Sequence, residues 1–76
     1  MAKNMGTFIA RETETYFNGD RAITDTFKLD DGTIIFHLYN VSADGSEHSH
    51  QVMDADGNHI YARKISSDHT WIEIER

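Results

Sequence analysis

LDDGTIIFHLYNVSADG, residues Leu29 to Gly45, holds an apolar run between two acid–glycine pairs. Asp31-Gly32 and Asp44-Gly45 are dipeptides that favour hairpin turns: glycine supplies a positive φ, and aspartate tolerates one while bonding locally. Between them Ile34, Phe36 and Leu38 alternate with Ile35, Tyr39 and Val41. Successive side chains of a strand point to opposite faces, so the run is apolar on both sides and reads as a central strand.

The same punctuation extends in both directions. Asn18-Gly19 precedes and Asp56-Gly57 follows, which spaces the four glycines by 13, 13 and 12 residues. One further step reaches SSDHT, residues 66 to 70, as a fifth turn. No proline interrupts the intervening segments, and no capped stretch carries apolar residues at helical spacing. The pattern predicts strands over 6–17, 20–30, 33–42, 46–54, 59–66 and 69–75. The predicted fold is all-β: a six-stranded antiparallel up-and-down meander, a small barrel or a strongly twisted sheet. DADGNHIYARKI and LDDGTIIFHLYN resemble the units of bacterial YD-type hairpin repeats over about ten residues each, a likeness carried by the turn dipeptide.

Residues 1–76 make one small β domain, with 1–5 expected to be a flexible lead-in. A chain this short buries only roughly 60–65 % of its unfolded surface, and without cysteine it has no disulfide to compensate. A homo-oligomer is therefore expected, since a small sheet leaves edges and one face open. No segment resembles a signal peptide or a membrane span, so the expectation is a cytoplasmic protein with no membrane contact.

Charge is unevenly placed. Between Lys28 and Arg63 there is no Lys or Arg, while Asp30, Asp31, Asp44, Glu47, Asp54 and Asp56 fall there. The chain has 13 acids and 7 bases, so the other seven acids balance the bases and the whole net charge of −6 lies in this middle. Such a stretch argues against direct nucleic-acid binding, which needs Lys and Arg against phosphates. It suits a basic protein partner. The expected function is therefore a small non-catalytic binding protein. One version is an inhibitor of a basic or nucleic-acid-binding partner, of the kind phages or mobile elements encode. Asp44, Glu47, Tyr39, Tyr61 and Trp71 are the expected contact residues, the aromatic ones as interface anchors.

EHSHQ, residues Glu47 to Gln51, offers the alternative of a metal-binding or pH-responsive protein. Two imidazoles two residues apart on a strand can chelate one ion, with His37, His59 or Asp54 as a third ligand. A two-residue loop at Asp44-Gly45 sets His48, His50 and His37 on one face; a three-residue loop ADG sets His48 and His50 beside Asn40 and Leu38 and removes His37. The expectation is that no metal or cofactor binds; His48, His50 and His37 are the ligands if one does. DADGNHI does not complete a calcium loop, because neither register supplies the terminal bidentate Glu. A small hydrolase or nuclease is the remaining alternative, but no catalytic constellation stands out and the protein is not expected to be an enzyme.

Overall fold

A computed structural model describes residues 4–75. Six antiparallel strands make up the fold: β1 (Met5–Thr15), β2 (Arg21–Leu29), β3 (Ile34–Val41), β4 (Glu47–Asp54), β5 (Tyr61–Ile65) and β6 (Trp71–Glu75). They form one sheet in the order β4-β3-β2-β1-β6-β5. A bridge between Met53 and His59, with Ile60 N–H donating to the Val52 carbonyl at 2.9 Å, brings β5 back beside β4. The result is a nearly closed barrel, the predicted meander. No helix among the described residues is long and apolar enough to cross a membrane. The lead-in begins to pair at once: Asn4 O accepts from Ile74 N–H at 2.9 Å and Met5 sits opposite Glu73. Residues 1–3 of that expected lead-in lie outside the described residues.

Every Asn/Asp–Gly turn is a three-residue loop. In each, the glycine N–H bonds the carbonyl three residues earlier, to Tyr16, Leu29, Ser42 and Asp54 in turn. The flanking residues then pair, as Ser42 N–H does with Ser46 O at 2.8 Å. The glycines take φ of 93°, 91°, 93° and 87°, the left-handed region that ends such loops. The fifth loop makes the same bond, His69 N–H to Ser66 O at 3.0 Å, but places a histidine there at φ 59°.

The barrel interior is apolar at one end, where Phe27, Leu29, Ile35, Val52, Ile72 and Ile74 are buried. Gly6 lets β1 lie against this core. A smaller cluster of Ile23, Tyr39 and Val41 lies further along β2 and β3. Between them the alternation of both strands places polar residues inward: Asp25 after Ile23 and His37 after Ile35, each fully buried. That polar layer is what the fold builds around.

Three bulges decide what else faces inward. β1 gains a residue at Ile9, so Phe8 pairs with Phe27 and Arg11, three residues on, pairs with Asp25. β4 gains one at Ser49–His50, opposite Tyr39, and β5 gains one at Arg63. An extra residue restores the inward direction after three positions instead of two. In β5 it turns Ala62 and Ile65 toward Ile74 and Ile72, and Tyr61 is left 68 % exposed. Strict two-residue alternation back from Ile65 would bring Tyr61 to this face; the bulge puts Ala62 there instead.

Candidate functional site

The polar layer gathers side chains from four strands and one loop. Arg11 donates to Asp25 through Nε–H to Oδ1 at 2.6 Å and Nη2–H to Oδ2 at 3.0 Å. Tyr39 Oη–H donates to Asp25 Oδ2 at 3.3 Å. His69 reaches in from its loop, with Nδ1 3.8 Å from Asp25 Oδ2 and Nε2 3.3 Å from Glu47 Oε2. His37 Nε2 and His50 Nδ1 are 2.9 Å apart, one donating and the other accepting. Tyr39 stacks on His37, His50 and His69 at centroid distances of 4.7, 5.3 and 5.0 Å.

Local backbone explains how these residues meet. The ADG loop pairs Glu47 with Val41 and His48 with Asn40, as a three-residue loop requires. The bulge then turns the strand again, so His50 rejoins the face of Val52 and His37. Each of the two sequence alternatives is therefore half realised: the three-residue loop forms, yet His37 and His50 share a face. Ser49 holds the bulge at φ 62°. Ser49 and His69 are the two positive-φ residues other than glycine among those described, and both serve this layer. Left-handed backbone at such residues costs about 1–3 kcal/mol and persists where the surroundings impose it.

Burial sets the electrostatics. It pushes the His37 imidazole down to about 4, helped by the neighbouring His50 and His69. It pushes the Tyr39 phenol up to about 12, with the Asp25 carboxylate adding to the effect. Hydrogen bonding to Asp25 holds the Arg11 guanidinium still more firmly protonated.

Of the residues singled out from sequence, Tyr39, Glu47, His37 and His50 meet in this layer, and the others lie elsewhere. His48 lies on the outer face, exposed, with Nε2 3.1 Å from Ser42 Oγ and Nδ1 3.1 Å from Ser49 Oγ. The H-x-H chelate is therefore not formed: His48 and His50 point to opposite faces. His59 is exposed at the β4–β5 closure, and Asp54 Oδ1 accepts from the Asp56 and Asn58 N–H groups, as a hairpin turn demands. Asp44 accepts from Ser46 N–H, a bond that lowers its proton affinity. Tyr39 is buried, and the Trp71 ring packs under Lys64 Nζ at 5.8 Å. No hydrogen bond, ion pair or ring contact joins Asp44, Tyr61 and Trp71 among the described residues. Asp25, Arg11 and His69 were not singled out. For Asp25 the signal was present: an acid on the inward alternation of Ile23, Phe27 and Leu29.

A second feature lies on the sheet edge. β2 pairs with β1 as far as Thr15, whereas β6 pairs with it only over Met5–Thr7. From Ile9 to Thr15, β1 therefore has one strand neighbour among the described residues. Glu12 and Glu14 point to the outer face there, lining a groove with Thr13, Ala22 and Thr24. Exposed apolar side chains stand at both ends of the edge, Ile9 at one and Tyr16 and Phe17 at the other; Phe17 is fully exposed. No family model, curated protein or solved structure matches this chain.

Proposed function

We propose that this is a small non-catalytic binding protein that takes an extended, basic segment of another protein as an added strand beside β1. The observation that carries the reading is the open edge from Ile9 to Thr15. Alternate residues of such an edge present N–H and C=O groups with no strand to receive them, and an extended peptide satisfies these groups along its length. Glu12 and Glu14, about 7 Å apart along the strand, suit two Lys or Arg side chains at the same i, i+2 spacing. Ile9 and Phe17 give apolar anchorage beyond each end. The expected preference for a basic partner is thereby attached to β1, in place of the Asp44–Glu47 stretch whose Glu47 is turned toward His50 and His69.

A second copy of the chain fits this edge poorly. Antiparallel self-pairing centred on Thr13 sets Glu12 opposite Glu14 of the copy, twice, and like charges directly opposite are destabilising. A homo-oligomer would have to use another surface.

A fluorescent peptide with alternating Lys and Thr between terminal Val residues tests the proposal. Amide shifts should move along residues 9–15, binding should weaken with salt, and Glu12→Lys/Glu14→Lys should weaken it at least tenfold. The same peptide with a central proline should fail, because proline lacks the N–H the ladder needs. Equal binding of the two peptides, or shifts confined elsewhere, would refute the edge.

A further inference from the structure

Independent of the peptide edge, we infer that the polar layer is a binding site for one divalent transition-metal ion, held by Asp25, His37 and His69. One ligand atom from each of these three residues lies within 4.8 Å of the others, and Asp25 and His37 are fully buried. Nδ1 of His37 and Nδ1 of His69 are both buried and have no hydrogen-bond partner among the described residues. A buried polar atom left unpaired is costly, and Nδ1 of His69 lies 3.8 Å from the Asp25 carboxylate.

The opposite nitrogens support the assignment. His37 Nε2 is tied to His50, and His69 Nε2 lies 3.3 Å from Glu47. Metal-binding histidines are characteristically held this way: the second ring nitrogen donates to a carboxylate or another acceptor, which leaves the first with its lone pair for the ion. Asp25 is oriented in turn by Arg11 and Tyr39. With neutral imidazoles, Arg11 contributes one positive charge and Asp25 and Glu47 one negative charge each, so the layer carries a formal charge of −1 that a cation offsets. Two imidazole nitrogens and one carboxylate oxygen suit zinc, cobalt, nickel or copper rather than calcium or magnesium. Tetrahedral bonds of about 2.0–2.1 Å bring ligand atoms to roughly 3.4 Å from one another, so the ligands must draw together by an ångström or so. His69 sits on a loop and is the ligand best placed to move.

The left-handed His69 adds a separate indication. Four loops end on glycine at this position and the fifth accepts the strain of a histidine. Strain retained in a loop where the other four carry glycine marks what that side chain does there.

Titration of the metal-free protein with Zn(II) alone tests the site, followed by long-range 15N spectra of the imidazoles. One equivalent should bind, with Nδ1 of His37 and His69 shifting as ligands. His69→Asn, which tolerates the same backbone, should lower affinity at least tenfold, whereas His48→Ala/His59→Ala should leave it unchanged. If His37→Gln fails to fold, His69→Asn and the spectra still decide. Absence of uptake, uptake undiminished in His69→Asn, or coordination through His48 or His59 would each overturn the inference.

Discussion

Arg11 and Asp25 face each other across β1 and β2 in a two-bond clasp of 2.6 and 3.0 Å, and they do so because β1 carries an extra residue at Ile9. Without that residue the guanidinium would point outward and leave a fully buried carboxylate beside Tyr39. Truncating one member of a buried pair typically costs about 3–5 kcal/mol, and Arg11 is 41 % exposed in its side chain, so roughly half that is expected here. Arg11→Met should therefore lower the urea midpoint clearly. Arg11→Met with Asp25→Asn should recover part of the loss, since no buried charge is then left alone. A double-mutant cycle showing no coupling would mean that the clasp is only a surface contact.

His37 makes the metal-free protein acid-sensitive. Its folded imidazole protonates only at about 4, whereas in the unfolded chain it does so near 6.5. Between these values the unfolded state binds the extra proton, so the contribution is fully present above 6.5 and is lost as pH falls toward 4. Its full size is on the order of 3 kcal/mol. Urea midpoints measured across this window should fall steeply in the native sequence and less so in His37→Gln. An equal slope in both would place the acid response elsewhere.

How much of this was legible depends on where the backbone departs from strict alternation. Asp25 falls on an unbroken two-residue period, Ile23 to Leu29, opposite a largely polar face, so its inward direction follows from the sequence. His37 lies on one too, Ile35 to Val41, but that strand is apolar on both faces and leaves the choice open. The directions of Arg11, His50 and Ala62 do not follow, because each lies beside or beyond a bulge that shifts the face. Nothing in IAR, HSH or ARK marks the extra residue, as none contains glycine. Turn positions were readable from Asn/Asp–Gly, but a histidine doing the work of the fifth glycine was not. Its loop looked like any polar turn.

Gly6 is retained for space. A Cβ there would stand 3.0 Å from Ile72 Cγ2, 3.0 Å from Leu29 Cδ2 and 3.2 Å from Phe27 Cβ. These atoms belong to the packed apolar end, where added volume typically costs about 1–3 kcal/mol. Gly6→Ala should destabilise by that amount in thermal unfolding. Combined with Leu29→Val, which removes one of the crowding methyls, the loss should be smaller than the sum of the two. Strict additivity would show that β1 simply moves away.

Ser49 and His69 should separate stability from binding. Both hold left-handed backbone, at φ 62° and 59°, where glycine carries no Cβ penalty. Ser49→Gly should raise stability by about 1 kcal/mol and leave Zn(II) uptake intact, since the bulge still turns His50 toward His37. Ser49→Val should lose stability by a similar amount, because a β-branched residue resists this conformation. His69→Gly relieves the same strain but removes the imidazole facing Asp25 and Glu47. Its melting temperature should change little, while Zn(II) uptake disappears. Thermal unfolding with and without Zn(II) reads both quantities in one experiment: the ion should raise the melting point of the native sequence and of Ser49→Gly, and leave His69→Gly where it was. A large loss of stability in metal-free His69→Gly would instead show that the ring is held there for packing, and that the strain is balanced by contacts within the layer.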